Sequence, residues 1–229
     1  MQGPVYILFI IFLSSLPIIL SYLYLRQRSP QFSIYLFLIA LALGGLSLLL
    51  GSLLQALLPV AEAGNRLSLL YTVFFRNAFT EELGRFCIFL IVFPLMSKMT
   101  TSKSLITIVP VHVSRERVIY LGVLAGFTFA MLETLSYGLF DLQIIILRTL
   151  TSAPLHAACA ARVALAAYLT NTKALVKALF YGFSAILIHG IYNLLLLFPS
   201  ALGVLPVLLA YVALASVVSM AKTKNEVLD

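Results

Sequence analysis

The sequence predicts an all-α, polytopic membrane protein with about seven transmembrane helices in a single domain, residues 1–229. Of its 229 residues, 62% are hydrophobic and only 10% are charged, which is far from the composition of soluble domains. A helix needs roughly 20 mostly apolar residues to cross a bilayer. Seven such stretches follow one another with short connections, at about residues 4–25, 31–58, 68–97, 118–140, 142–170, 174–198 and 202–221.

The first stretch is expected to be a retained helix and not a cleaved signal peptide. It is longer than a signal-peptide core and no basic residue precedes it. Arg26, Gln27 and Arg28 follow it in place of a small-residue cleavage site. The remaining stretches show no linker, repeat or soluble domain, and the motifs described below fall within about residues 68–198.

Positive charge predicts the orientation of the helices. The connections on the opposite side contain a single basic residue, Arg66, whereas ten basic residues occupy every second connection: Arg26, Arg28, Lys98, Lys103, Arg115, Arg117, Lys173, Lys177, Lys222 and Lys224. By the positive-inside rule the N-terminus lies outside and the C-terminus is cytoplasmic, as in a multi-pass protein of the cell membrane. The net charge of +7 is explained by this placement, so no nucleic-acid partner is expected.

Several ionisable residues lie inside the predicted spans, where each charge costs about 2.5–3.5 kcal/mol. They are Glu81, Glu82 and Arg85 in the third stretch, Glu133 in the fourth, Arg148 and His156 in the fifth, and His189 in the sixth. With a rise of about 1.5 Å per residue, Glu81 and His156 lie about 20 Å below the outer surface, His189 about 14 Å and Glu133 about 10 Å. We therefore expect these side chains to meet in one layer of the bundle.

Helical spacing indicates which of these groups share a face, because residues four apart are neighbours on a helix. Three pairs have this spacing: Glu81 with Arg85, Glu133 with Tyr137, and His189 with Asn193. The first pair predicts an ion pair that neutralises Glu81. Glu82 points about 100° away and is free to face another partner.

Two residues next to the histidines predict local backbone features. Pro154 is expected to bend or open the helix just before His156. Gly190 directly follows His189 and lets another helix or a substrate approach closely.

Other polar residues in the spans have simpler interpretations. Arg76 and Arg162 are predicted to reach toward a membrane interface, and Arg148 is expected either to do the same or to pair with Glu133. Cys87 and Cys159 both fall within spans, so they are expected to be buried small residues and not a disulfide.

Water activation is the chemistry that this set of residues favours. A carboxylate in a low-dielectric site can take a proton from water, and a histidine can share that task. A second histidine with an amide can stabilise an oxyanion. This chemistry requires no cofactor. Zinc bound by His156, His189 and Glu82 is an alternative, as are a proton relay in a transporter or channel and a non-catalytic scaffold for a partner helix.

Four short motifs occur in chain order on successive predicted helices. They are EExxR at 81–85, FxxxE extended by xxxY at Phe129, Glu133 and Tyr137, a lone His156, and HxxxN at His189 and Asn193. Each motif alone is weak, but four in this order at similar depth are specific. In this arrangement the chain resembles the PrsW family of intramembrane proteases, which is related to the glutamic-type CAAX-prenyl and bacteriocin-processing proteases.

The resemblance implies cleavage of a membrane-embedded or membrane-anchored protein, such as an anti-sigma factor, within the lipid bilayer. It implies that the two glutamates and His156 activate water and that His189 with Asn193 forms the oxyanion site. Glu133 is a further catalytic candidate, and the supporting residues are Arg85, Tyr137 and Phe129. The position of Arg85, one residue earlier than in the CAAX branch, and Glu133 in place of a histidine both favour PrsW. A CAAX-type prenyl-protein endopeptidase is the alternative.

Overall fold

The computed structural model shows a helical bundle. It describes residues 3–28, 32–60, 64–101, 114–138, 141–198 and 203–222. Its elements are α1 (Pro4–Arg28), α2 (Ile34–Leu57), α3 (Arg66–Leu70), a π-helix (Tyr71–Phe79), α4 (Thr80–Thr101), α5 (Arg115–Gly138), α6 (Leu142–Asn171), α7 (Leu175–Leu196) and α8 (Leu205–Lys222). No β-strand occurs within these ranges. The predicted all-α class is confirmed for this part of the chain.

Among the described residues, five helices are long and apolar enough to cross a membrane: Pro4–Arg28, Ile34–Leu57, Arg115–Tyr137, Leu142–Asn171 and Leu175–Leu196. The shorter α8 is apolar over Leu205–Ala221. The chain is therefore a polytopic membrane protein. The predicted third span is divided among α3, the π-helix and the charged helix α4, and it is not one of the five. The count of seven crossings, the outward N-terminus and the single domain stay predictions.

Helix α6 occupies the centre of the bundle and packs against α4, α5, α7 and α8. Every residue from Thr151 to Ala167 is buried. This segment is rich in alanine, and small side chains let neighbouring membrane helices approach closely. The central position of α6 brings its one histidine within reach of four other helices. The helix continues through Pro154, so the predicted opening of the helix at this proline is not seen.

Close contact between α5 and α6 depends on Gly126. A Cβ atom added to Gly126 would lie 2.4 Å from the carbonyl oxygen of His156 and 2.6 Å from the Cα atom of Ala157. Glycine is therefore the only residue that this backbone contact accommodates without movement of a helix. The contact fixes the position of the His156 backbone relative to α5.

Arg162 lies between α6 and α8 and does not extend to a membrane interface as predicted. Its guanidinium group donates hydrogen bonds to the carbonyl oxygen of Ala213, at 3.3 Å, and to the hydroxyl of Ser216. The side chain starts from the most deeply buried part of α6, and it also donates to the carbonyl oxygen of Ala158 on α6 itself at 2.8 Å. The interaction stabilises the packing of α8 on the centre of the bundle.

Candidate active site

The π-helix directly precedes the two glutamates and positions them. It ends at Phe79, and the hydroxyl of Thr80 donates a hydrogen bond to the carbonyl oxygen of Asn77 at 3.1 Å. The wider turns of a π-helix are uncommon and occur frequently at functional sites. Glu81 and Glu82 follow in the first turn of α4, so the change from π- to α-helical geometry sets the direction of both carboxylates.

Gly190 brings α7 against the π-helix. A Cβ atom at Gly190 would lie 2.1 Å from the Cδ1 atom of Phe74. The expectation that Gly190 permits a close approach is confirmed, and the approaching group is the Phe74 ring. Because His189 directly precedes Gly190, this contact also sets how far the imidazole of His189 extends toward α4.

Arg85 lies in the middle of the cluster and is only 1% exposed. Its Nη2 atom lies 3.5 Å from Glu81 Oε2, and Nη1 pairs with Glu82 Oε1. The predicted Glu81–Arg85 pair therefore exists. Glu82 was expected to face a partner other than Arg85. It does contact His189, but it also pairs with Arg85, because residues three apart on a helix are neighbours as well as residues four apart. One guanidinium group thus serves both carboxylates.

The same arginine orients His156 from α6. Arg85 Nη2 lies 2.7 Å from His156 Nδ1, and the guanidinium group lies 3.8 Å from the centre of the Phe129 ring. The Phe129 ring in turn packs against the imidazole of His156, with ring centres 5.0 Å apart. Phe129 is buried at 1% exposure, so this predicted supporting residue holds both side chains by packing.

Hydrogen-bond direction identifies the tautomer of His156. An arginine can only donate, so His156 Nδ1 accepts and the proton of the neutral ring is on Nε2. Nε2 therefore presents its proton to Glu133, with 2.8 Å between Nε2 and Oε2. The same carboxylate oxygen lies 2.6 Å from Arg148 Nη2. Arg148 therefore pairs with Glu133, which is one of the two alternatives that the sequence left open.

His189 has the opposite arrangement. Its Nδ1 atom lies 2.7 Å from Glu82 Oε1, and since an ionised carboxylate only accepts, the proton is on Nδ1. Nε2 therefore carries the lone pair, and it lies 3.8 Å from Glu81 Oε2. The two imidazoles meet edge to face, with centres 5.1 Å apart. Helices α4, α5, α6 and α7 thus bring together Glu81, Glu82, Arg85, Glu133, His156 and His189.

A cavity of about 390 Å³ opens over this cluster. Its lining includes Glu81, Glu133, His156 and His189 from the cluster, together with Asn193 and Tyr137. The remaining carboxylate, Glu82, is 1% exposed and does not line this cavity. Glu81 is therefore the glutamate of the EExxR motif that a molecule in the cavity can reach.

Some residues that line the cavity escaped the sequence analysis. Gln55 of α2 donates a hydrogen bond from Nε2 to Glu81 Oε1 at 3.2 Å, and the Tyr192 hydroxyl donates to Thr151 Oγ1 at 2.9 Å. Arg76, predicted to anchor at an interface, lines the cavity. A polar residue in the last turn of the apolar second stretch was the available signal for Gln55. Tyr192 was not singled out because tyrosine is common at membrane interfaces, so its presence near a helix end does not indicate a site.

The residues of the cluster fit a metal ion by their chemistry. Glu81, His156 and His189 each offer one ligand atom, and these atoms lie within 4.8 Å of one another. Two imidazoles and one carboxylate are a frequent ligand set of catalytic zinc. Glu82 accepts the Nδ1 proton of His189, as a carboxylate behind a ligating imidazole does. The sequence-based zinc set named Glu82, whereas the structure places Glu81 with the two histidines.

Fold and site together define a polytopic membrane protein with a buried glutamate–histidine centre. A sequence model described as "PrsW family intramembrane metalloprotease" matches residues 29–220. The chain belongs to this family and is a membrane protease, so the resemblance drawn from the motifs is confirmed. No curated protein and no solved structure matches the chain.

Proposed function

We propose that the chain is an intramembrane endopeptidase that hydrolyses a peptide bond of a membrane-embedded or membrane-anchored protein. An anti-sigma factor is the type of substrate that the family resemblance suggests. Membership of the PrsW family supports this proposal over the proton-coupled transporter and over a CAAX-type endopeptidase. The observation that carries the mechanism is that Glu81 and His189 both line the cavity, with 3.8 Å between Glu81 Oε2 and His189 Nε2.

Glu81 is the general base in this proposal. Its side chain is 11% exposed, whereas that of Glu82 is 1% exposed and is occupied by Arg85 and His189. Glu81 takes a proton from water as the water oxygen attacks the carbonyl carbon of the substrate, and it returns the proton to the amine nitrogen when the C–N bond breaks. The nearby Nε2 lone pair of His189 accepts a hydrogen bond from the same water.

Asn193 supplies the donor for the oxyanion. Its amide lines the cavity four residues after His189. In the neutral ring of His189 the proton is on Nδ1, directed to Glu82, so Nε2 does not donate to an oxyanion. This differs from the role that the family resemblance implied for His189. The proposal therefore assigns water activation to Glu81 and His189 and oxyanion stabilisation to Asn193.

As the alternative to these roles of Glu81 and His189, both residues would hold a metal ion together with His156. Bound there, zinc would polarise the substrate carbonyl as a Lewis acid. Ligation by His156 would require its ring to exchange one of its two present partners, Arg85 or Glu133, because neither nitrogen has a free lone pair.

The test is cleavage of single-span membrane substrates by the purified protein in detergent. Glu81→Gln keeps the shape of the side chain but removes the base, so we expect cleavage to fall by about 10²–10⁴-fold while the thermal unfolding midpoint is maintained. Glu116→Gln makes the same exchange in the first turn of α5, outside the active-site cavity, so it is the matched control and is expected to cleave normally. Full activity of Glu81→Gln would refute the role of Glu81. A parallel arm with a zinc chelator tests whether a metal takes part.

A further inference from the structure

A second, larger cavity lies at the opposite end of the bundle from the active site. It measures about 630 Å³ and is enclosed by α1, α5 and α8. It shares no lining residue with the active-site cavity. Its volume falls in the range of small-molecule binding pockets, about 300–1,000 Å³. The proposed protease mechanism makes no use of this space.

Two arginines line the mouth of this cavity, which is called its outer part below. The mouth lies at the end of the bundle where the basic residues concentrate, which is the predicted cytoplasmic side. Arg28 is the last residue of α1, and its guanidinium group lies 5.2 Å from the centre of the Tyr24 ring. Arg115 begins α5, and its Nε atom is buried without a hydrogen-bond partner among the described residues. A buried, unpaired guanidinium donor is costly, so this position favours a bound acceptor.

One acidic residue also lines the cavity. It is Glu116, in the first turn of α5. With Arg28 and Arg115 each contributing one positive charge and Glu116 one negative charge, the outer part carries a net charge of +1. A ligand with one negative charge matches this balance.

The inner part of the cavity is apolar. Leu25, Val123, Phe127 and Val217 line it. From Arg115 to Phe127 the α5 helix advances by about 18 Å at 1.5 Å per residue, which is comparable to one leaflet of a hydrocarbon core about 30 Å thick. The cavity therefore has a charged outer end and an apolar inner end separated by the depth of one leaflet.

We propose that this cavity binds one anionic glycerophospholipid, with its phosphate between Arg28 and Arg115 and an acyl chain against Phe127 and Val217. Basic pockets between membrane helices bind anionic head groups in this manner, and guanidinium groups pair well with phosphate oxygens. A zwitterionic lipid brings an ammonium group toward the same two arginines and is disfavoured. The apolar inner end distinguishes a lipid from a free phosphate ester.

The test is native mass spectrometry of the purified full chain with phosphatidylglycerol or phosphatidylcholine of identical acyl chains. We expect phosphatidylglycerol to bind about tenfold more tightly. The double variant Arg28→Gln/Arg115→Gln should lose this preference, whereas the control Arg26→Gln, a neighbouring arginine outside the cavity, should keep it. Equal binding of the two lipids, or an unchanged preference in the double variant, would overturn the proposal.

Two further arms complete the experiment. Glycerol 3-phosphate presents the head-group phosphate without acyl chains, so it should not compete at equal concentration; effective competition would show a phosphate site and overturn the lipid assignment. Val218→Trp places a large ring at the cavity wall on α8 and leaves both arginines in the sequence, so it covers the case in which the double variant fails to fold. It should reduce phosphatidylglycerol binding, and unchanged binding would overturn the proposal.

Discussion

Replacing Gly126 by alanine should slow cleavage strongly while leaving the enzyme folded. The added Cβ atom would lie 2.4 Å from the carbonyl oxygen of His156, and ordinary van der Waals contact begins at 3.4 Å. Both contacting groups are helix backbone, so neither can rotate away. Helices α5 and α6 must separate by about 1 Å, which is the difference between these two distances.

The effects on stability and on activity are expected to differ greatly. Overpacking costs about 1–3 kcal/mol, but alanine in place of glycine within a helix returns about 1 kcal/mol, so the net loss is about 0–2 kcal/mol. A displacement of 1 Å at a catalytic group can lower the rate by about 10²-fold. We therefore expect Gly126→Ala to cleave about a hundredfold more slowly, because His156 on α6 moves and displaces Arg85, which holds the catalytic Glu81.

The assay is cleavage of a single-span substrate in detergent, measured beside thermal unfolding. Gly45→Ala is the matched control: it makes the same exchange within a helix, but its added Cβ atom would meet nothing closer than Leu132 Cδ1 at 3.8 Å. This control should cleave normally. Wild-type cleavage by Gly126→Ala would refute the argument that the close contact between α5 and α6 positions the site.

Two further predictions concern the same cluster. Arg85→Ala leaves the carboxylates of Glu81 and Glu82 buried without their cation. It should therefore lower the free energy of unfolding by about 3–5 kcal/mol, measured as reduced thermal stability and yield. A variant of normal stability would show that the pairs are not buried together. Gly190→Ala places a methyl group against the Phe74 ring and should reduce cleavage. The double variant Gly190→Ala/Phe74→Ala should recover part of the lost cleavage. If the double variant shows no recovery, the contact does not position His189.

The helical fold could be predicted from the sequence because apolar composition and span length are properties of single segments. The boundaries near residues 66–80 could not, because a change from α- to π-helical geometry depends on tertiary contacts. Phe74 against Gly190 is such a contact, and it joins segments more than a hundred residues apart. Single-segment patterns contain no information about it.

The membership of the candidate site was largely predictable, and its internal pairing was not. Intramembrane charges are costly enough that each one indicates a function, which singled out Glu81, Glu133 and His189. Spacing on one helix predicted the partner of Glu81. It could not show that Gln55 of α2 reaches the same carboxylate, because pairing between helices depends on rotation and depth, which periodicity does not fix.

The two histidines should differ in their tolerance of glutamine. His156 accepts a hydrogen bond from Arg85 and presents its Nε2 proton to Glu133 at 2.8 Å, and a glutamine amide can do both. His189 donates to Glu82 and turns its lone pair toward Glu81, and an amide lacks a basic nitrogen for that position. We therefore expect His156→Gln to keep measurable cleavage and His189→Gln to lose it, in the same assay and at equal thermal stability. Equal loss in both variants would contradict an orienting role for His156 and would show instead that it uses a ring lone pair directly, as a metal ligand must.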